Sequence, residues 1–222
     1  MLVQRYTVGS GSKNLPDSTV KSGSFRLSGT FSHILTLENN RKTYSDKMPE
    51  SGFYDTVFIN KNETFDSLYS RSIKNTLRFD FTTDETRKFR LGGGAGIRNE
   101  FMRFSQIMPS HDMPAADTST WNKNNFVITG RLYNNIGDKF RWTATGDLYL
   151  SGYRAGDFSV KGIVSKGFAW EKGIASWNVT AGMSNTLPSF WYEQWGSNHY
   201  KWSNNINKEF RIDAGTSFIY PA

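Results

Sequence analysis

The sequence predicts an all-β fold: an antiparallel up-and-down transmembrane β-barrel, or a large part of one, with about nine or ten long strands. Three observations predict it. Apolar and polar residues alternate with period two over most of the chain. The alternating runs extend about ten to sixteen residues, against roughly five or six in soluble sheets and nine to eleven for a tilted strand crossing a bilayer. The connections between runs are long at one end of the meander and tight at the other, as in outer-membrane barrels.

The elements follow in order. "LVQRYTV" (2–8) reads as the end of a strand and "GSGSKNLPDSTVKSG" (9–23) as its turn. In "FRLSGTFSHILTL", Phe25, Leu27, Phe31, Leu35 and Leu37 share one face, and Arg26, Ser28, Thr30 and Ser32 the other. A long connection over 39–70 leads to "SIKNTLRFDF", where Ile73, Leu77, Phe79 and Phe81 alternate with Ser72, Lys74, Arg78 and Asp80. The turn "TTDETRK" precedes "LGGGAGIR" (91–98), whose glycines fit a strand making room for a neighbour's bulky ring. A phosphate-binding loop is the rival reading, but the Lys-Ser/Thr ending and a following helix are missing. A second long connection covers 105–121, a strand 126–134, and the turn "IGDK" leads to "KFRWTATGDLYLSG". The short "RAGD" (154–157), a strand over 158–170, the turn "WEKG" and a strand over 175–183 come next. A long connection over 185–198, the turn "NNINKE" and the strand "FRIDAGTSFIY" complete the chain. Loops 39–70, 105–121 and 185–198 are expected outside the cell, and turns 84–88, 137–139, 171–173 and 207–209 on the periplasmic side.

Composition agrees with strands. Hydrophobic residues are 37% of the 222, yet aromatic residues reach 15%, and Gly, Ser, Thr and Asn are abundant. The net charge of +7 is spread along the chain rather than clustered, which speaks against nucleic acid as a partner. Without cysteine there is no disulfide framework or thiolate metal site. Residues 1–222 read as one barrel domain, expected to be an internal portion of a larger barrel.

Alternation alone does not say which face points inward, and a soluble sheet with one buried face is the plain alternative. Strand length and loop asymmetry favour the membrane, with the apolar face, including Phe79, Trp142, Leu148 and Val179, toward lipid. The pore-lining candidates are then Arg26, Lys74, Arg78, Asp80, Arg90, Arg98, Glu100, Arg131, Arg141, Asp147 and Lys161. Eight are basic and three acidic, which suggests a mild anion preference. "SFWYEQWGSNHYKW" (189–202) packs six aromatic rings among polar residues. Rings and polar groups at one height suit the headgroup zone, so Trp142, Trp170, Trp177, Trp191, Trp195, Tyr200 and Trp202 are candidates for an aromatic girdle or a loop platform. A sugar-stacking surface is the competing reading of the loop rings.

The stretch "PSFWYEQWGSNHYKWSNNINKEFRI" resembles the Putative porin family of Bacteroidetes outer membranes, as do "LVQRYTVGSGS" and "DSLYSRSIKNTLRFDF". The resemblance implies an outer-membrane pore and supplies no substrate. Catalytic signatures are missing: His33, His111 and His199 lie in different segments without metal-ligand spacing, and there is no G-x-S-x-G elbow. The sequence therefore suggests a non-enzymatic channel in the bacterial outer membrane, without cofactor or metal, for passive diffusion of small solutes. Its expected partners are outer-membrane lipid, lipopolysaccharide and those solutes, with a homo-oligomer or other envelope proteins also open. A glycan- or protein-binding barrel, or a secretion-associated structural one, is the alternative.

Overall fold

The computed structural model of the chain describes residues 1–8, 27–50, 52–83, 91–109, 116–136, 140–170 and 173–220. Eight strands follow one another: β1 (Leu2–Val8), β2 (Leu27–Asp46), β3 (Thr64–Thr83), β4 (Leu91–Pro109), β5 (Ala116–Ile136), β6 (Phe140–Gly152), β7 (Phe158–Trp170) and β8 (Gly173–Thr186). A one-turn helix α1 (Phe190–Glu193) and the short strands β9 (Gln194–Gly196) and β10 (Lys201–Ser203) precede β11 (Glu209–Ile219). The nine long elements form one antiparallel sheet in chain order, β1 to β8 and then β11, while β9 and β10 make a separate hairpin. The sheet is open. β1 and β11 are its two edges.

Two expected boundaries move. β2 runs to Asp46 and β3 starts at Thr64, so the first long connection is 47–63 rather than 39–70. Likewise β4 and β5 leave only 110–115 of the expected 105–121, and that connection lies outside the described residues. The backbone ladder continues past the point where alternation fades. The turn expected at 207–209 is also corrected. β8 pairs directly with β11 (Glu209 opposite Thr186), so 187–208 is a single connection at the long-loop end. The turns expected at 84–88 and 137–139, and residues 171 and 172 of the third, lie outside the described residues.

The register sorts side chains into two faces. One row reads Phe31, Phe79, Ala95, Gly130, Gly146, Val160, Met183 and Ile212. Another reads Trp142, Val164, Val179 and Thr216. Leu77, Ile97, Ile128, Leu148, Val160, Met183 and Ile212 are exposed there as a continuous apolar band. Asn75 and Asn99 interrupt it, facing each other across β3 and β4; Asn99 donates to the Oδ1 of Asn124 at 3.1 Å.

The band runs obliquely to the hydrogen-bonded rows. Its upper limit is Ile73 on β3, where Arg71 follows, and Met183 on β8, where Asn185 follows. Met183 shares its row with Phe79, so the limit drops six residues over the five steps from β3 to β8. At about 3.4 Å per residue and about 4.8 Å per strand, that is ~20 Å against ~24 Å, an inclination of roughly 40°. Leu91 through Phe101 on β4 then spans about 26 Å along the normal, close to the roughly 25 Å apolar height of outer-membrane barrels.

Glycines in β4 are set by close approach. A Cβ on Gly93 would lie 2.7 Å from the ring of Phe81, and one on Gly92 would run into the ring of Tyr133. The glycine run is structural, as its strand position suggests.

Candidate pore lining and the arm across the mouth

The opposite face is polar and gathers the candidate lining residues into ion pairs. Asp80 receives Arg78 Nε at 2.8 Å and Arg131 Nε at 2.9 Å. Arg98 reaches Glu100 at 2.7 Å and Asp147 at 3.1 Å. Lys74 pairs with Glu38 at 3.1 Å. All three acidic residues named from the sequence are therefore partnered by basic ones from the same set. Arg141 and Lys161 make no ion pair among the described residues, and Arg26 and Arg90 lie outside them.

The full face is nearly balanced. Arg5, Lys42, Lys74, Arg78, Arg98, Lys123, Arg131, Arg141, Lys161 and Arg211 stand against Glu38, Asp46, Asp66, Asp80, Glu100, Asp117, Asp147, Glu209 and Asp213, ten cations to nine anions on the described strands. One local excess remains: Arg5, Arg78 and Arg131 surround the single carboxylate of Asp80 in a recess of about 290 Å³ that Tyr133 also lines.

Residues 187–208 form an arm that leaves β8 and lies against this polar face. Its base is clipped by the 153–157 turn. Asp157, fully buried, accepts the Leu187 N–H at 3.0 Å and Arg154 Nε at 2.8 Å. Lys208, at the other end of the arm, stands 3.2 Å from the second oxygen of Asp157. A short turn at this end of the sheet thus serves as the anchor for the longest connection.

From there the rings of the opening motif pack inward. Phe190 stacks on Phe104 of β4 at 4.3 Å and tilts against Trp121 of β5 at 5.4 Å. Trp191 meets Phe104 edge-on. Trp195 and Trp202 stack at 5.2 Å across the β9–β10 pair, and Trp202 Nε1 donates to the Trp191 carbonyl. Gly196 passes so close to Met108 that a Cβ would collide with its sulfur, and its N–H donates to Gln106. Tyr153 donates to Glu193 at 2.6 Å; burial, and then Glu193 itself, push the phenol upward from its ordinary range.

The far end of the arm is fixed by Asn198, 1% exposed. Its Oδ1 accepts the N–H groups of Ile59 and Asn60, both at 2.9 Å. Its Nδ2 donates to the Asn60 carbonyl at 2.8 Å and to Thr64 at 3.1 Å, and its backbone N–H donates to Asp66 at 2.8 Å. His199 beside it is stacked on Tyr54 at 3.6 Å. Its Nδ1 faces the Thr56 carbonyl at 3.1 Å, which can only accept, so Nδ1 carries the proton and Nε2 accepts from Thr64 at 2.7 Å. The arm therefore reaches from β8 to the β2–β3 connection, passing over β5, β4 and β3.

The loop rings are accordingly set apart from the apolar face. Trp142 and Trp177 lie on that face, Trp177 exposed; the Trp170 side chain lies outside the described residues. Trp191, Trp195 and Trp202 belong to the arm, and only Tyr200 among the loop candidates is exposed. His33 sits on the apolar face opposite Leu77, and His111 lies outside the described residues. Sequence reasoning missed Phe104, Trp121, Gln106, Asp157 and the hub role of Asn198. The available signal was the pair Phe104 and Trp121, two large rings at polar-face positions near strand ends.

A family model described as Putative porin matches residues 1–221. No curated protein and no solved structure matches the chain.

Proposed function

Since the chain belongs to the Putative porin family, we propose that it forms a water-filled passage for small solutes across the bacterial outer membrane, with the arm narrowing its mouth. The polar face lines the passage and the inclined apolar band meets lipid. The observation that carries this reading is the arm. It lies against the polar face, with Phe190 buried there and Trp191 and the Trp195–Trp202 stack half-buried beside it, so it occupies space that solute must share. Selectivity then follows from the size of the gap and the charges beside it. The near-balance of the lining limits any anion preference to the Arg5, Arg78 and Arg131 cluster, with Arg141 and Lys161. Long loops outside the cell and tight turns in the periplasm complete the orientation.

The test is conductance of the refolded chain in a planar bilayer. Discrete single-channel steps are expected, with reversal potentials shifting toward cations in Arg78→Glu with Arg141→Glu. A membrane-inserted protein with no conductance, unchanged by deletion of 189–202, would overturn the channel and favour the structural barrel with a plugged lumen.

A further inference from the structure

Just above the apolar band, the outward face changes character on β3 and β4. Ile73 faces Phe101 in the band's top row; in the next row Arg71 faces Arg103 directly. Like charges opposite one another on neighbouring strands repel. Both residues are exposed, and among the described residues neither has an acidic partner. On the polar face, Arg78, Arg98 and Arg131 are paired with carboxylates; here two guanidinium groups are set side by side without one.

Arg71 is also held in place. Its Nε donates to Asn39 Oδ1 at 2.9 Å, and its guanidinium lies 5.9 Å from the centre of the Tyr69 ring. Tyr69 donates to the same Asn39 oxygen at 3.2 Å. This uses one of the five N–H donors of Arg71 and leaves its terminal nitrogens without an acceptor among the described residues. One row higher come Arg41, Tyr69, Ser105 and Thr120. Arg41, Tyr69 and Ser105 border an open groove of about 440 Å³ that Phe65, Ser67, Ile107 and Thr118 also line; the Ser105 and Thr120 hydroxyls bond to each other at 3.0 Å.

The surface is therefore layered. Apolar side chains lie lowest, two cations next, and a groove with several hydroxyls and a third cation highest. We infer that this outward face of β2–β5 binds a phosphorylated glycolipid of the outer leaflet, with Arg71 and Arg103 on its phosphate and the Ser67, Ser105 and Thr118 hydroxyls on its sugar. Acyl chains match the band, phosphate matches a pair of guanidinium forks, and sugar hydroxyls match Ser, Thr and an aromatic ring. A phospholipid headgroup would use the cations but leave the groove above them empty. This inference rests on the proposed reading that the apolar band meets lipid.

The experiment is a titration of the refolded full chain in detergent micelles, followed by native mass spectrometry. The probes are bis-phosphorylated lipid A, dephosphorylated lipid A and phosphatidylglycerol. Bis-phosphorylated lipid A should bind at least tenfold more tightly than either of the others. Arg71→Ala with Arg103→Ala should remove that preference, Arg71→Lys with Arg103→Lys should restore part of it, and Lys61→Ala, an exposed cation of the β2–β3 connection, should leave it intact. Equal affinity of wild type and the double alanine variant, or equal affinity for phosphatidylglycerol, would overturn the assignment while the membrane reading stood. Insertion into vesicles is measured alongside. If Leu148→Arg inserts as well as wild type, the lipid-facing assignment fails, and this inference with it.

Discussion

Replacing Asn198 by alanine should release the arm. The side chain makes four hydrogen bonds of 3.1 Å or shorter, to Ile59, Asn60 twice and Thr64. Its site is buried, so the partners left behind have little access to water. At a net ~1 kcal/mol for each bond, the loss amounts to about 4 kcal/mol. Every ~1.4 kcal/mol is a factor of ten, so the docking equilibrium should shift by roughly a thousandfold. The local assay is hydrogen exchange at the Ile59 and Asn60 amides, both of which donate to Asn198, with single-channel recording as the functional readout. Protection at these two amides should fall steeply while the strands keep theirs, and conductance should rise or become noisy. Asn198→Asp separates the two halves of the amide: it keeps the acceptors, loses the donors and adds a second carboxylate beside Asp66, and should do no better than alanine. Protection within a few-fold of wild type in Asn198→Ala would refute the assignment of the hub.

Other outcomes follow from the same geometry. Gly196→Val should undock the β9–β10 hairpin, because the new side chain meets Met108, and should raise conductance without lowering the melting temperature of the sheet. Asp157→Ala should loosen both ends of the arm together, seen as faster exchange at Leu187. Leu148→Arg should lower folding into vesicles by roughly 2–4 kcal/mol, whereas Thr145→Arg should fold nearly normally; the reverse result would exchange the two faces. Tyr153 contributes a pH dependence. Its folded pKa lies above the unfolded one, so its contribution is complete below about pH 10 and is lost as pH rises toward the folded value. The protection factor of the arm, with the intrinsic rise of amide exchange with pH divided out, should fall above about pH 10 in wild type and stay level through that range in Tyr153→Phe.

Period two was legible wherever one face is apolar, and failed where the chain leaves that band. Residues 39–46 read as loop because Asn39, Asn40, Arg41 and Lys42 are all polar, although their ladder to β3 is unbroken. When both faces of a hairpin meet water, hydrogen bonding persists and the alternation that reveals it does not. The turn at "NNINKE" misled for the opposite reason. Its composition is right for a turn, but composition carries no information about which end of the sheet it occupies. The excess of basic lining residues came from the acids left uncounted: Glu38 falls just past the run that ends at Leu37, Asp66 lies in a stretch that read as loop, and Asp213 is in the last strand, which supplied no lining candidate. Asn198 and His199 were visible only as part of a family-like motif. What they bind lies more than 130 residues away.

The arm also bears on how far the open sheet can bend. Five strand steps from β3 to β8 make an arc of about 24 Å along the hydrogen-bonding direction. The arm is a chord beneath that arc, pinned at Asp157 on one side and at the β2–β3 connection on the other. A chord of fixed length sets the bend of the arc above it. Shortening residues 187–208 would draw β3 toward β8 and tighten the wall, and lengthening them would let it flatten, with the strand number unchanged. The bore of such a passage is then governed by a tether as well as by the count of staves.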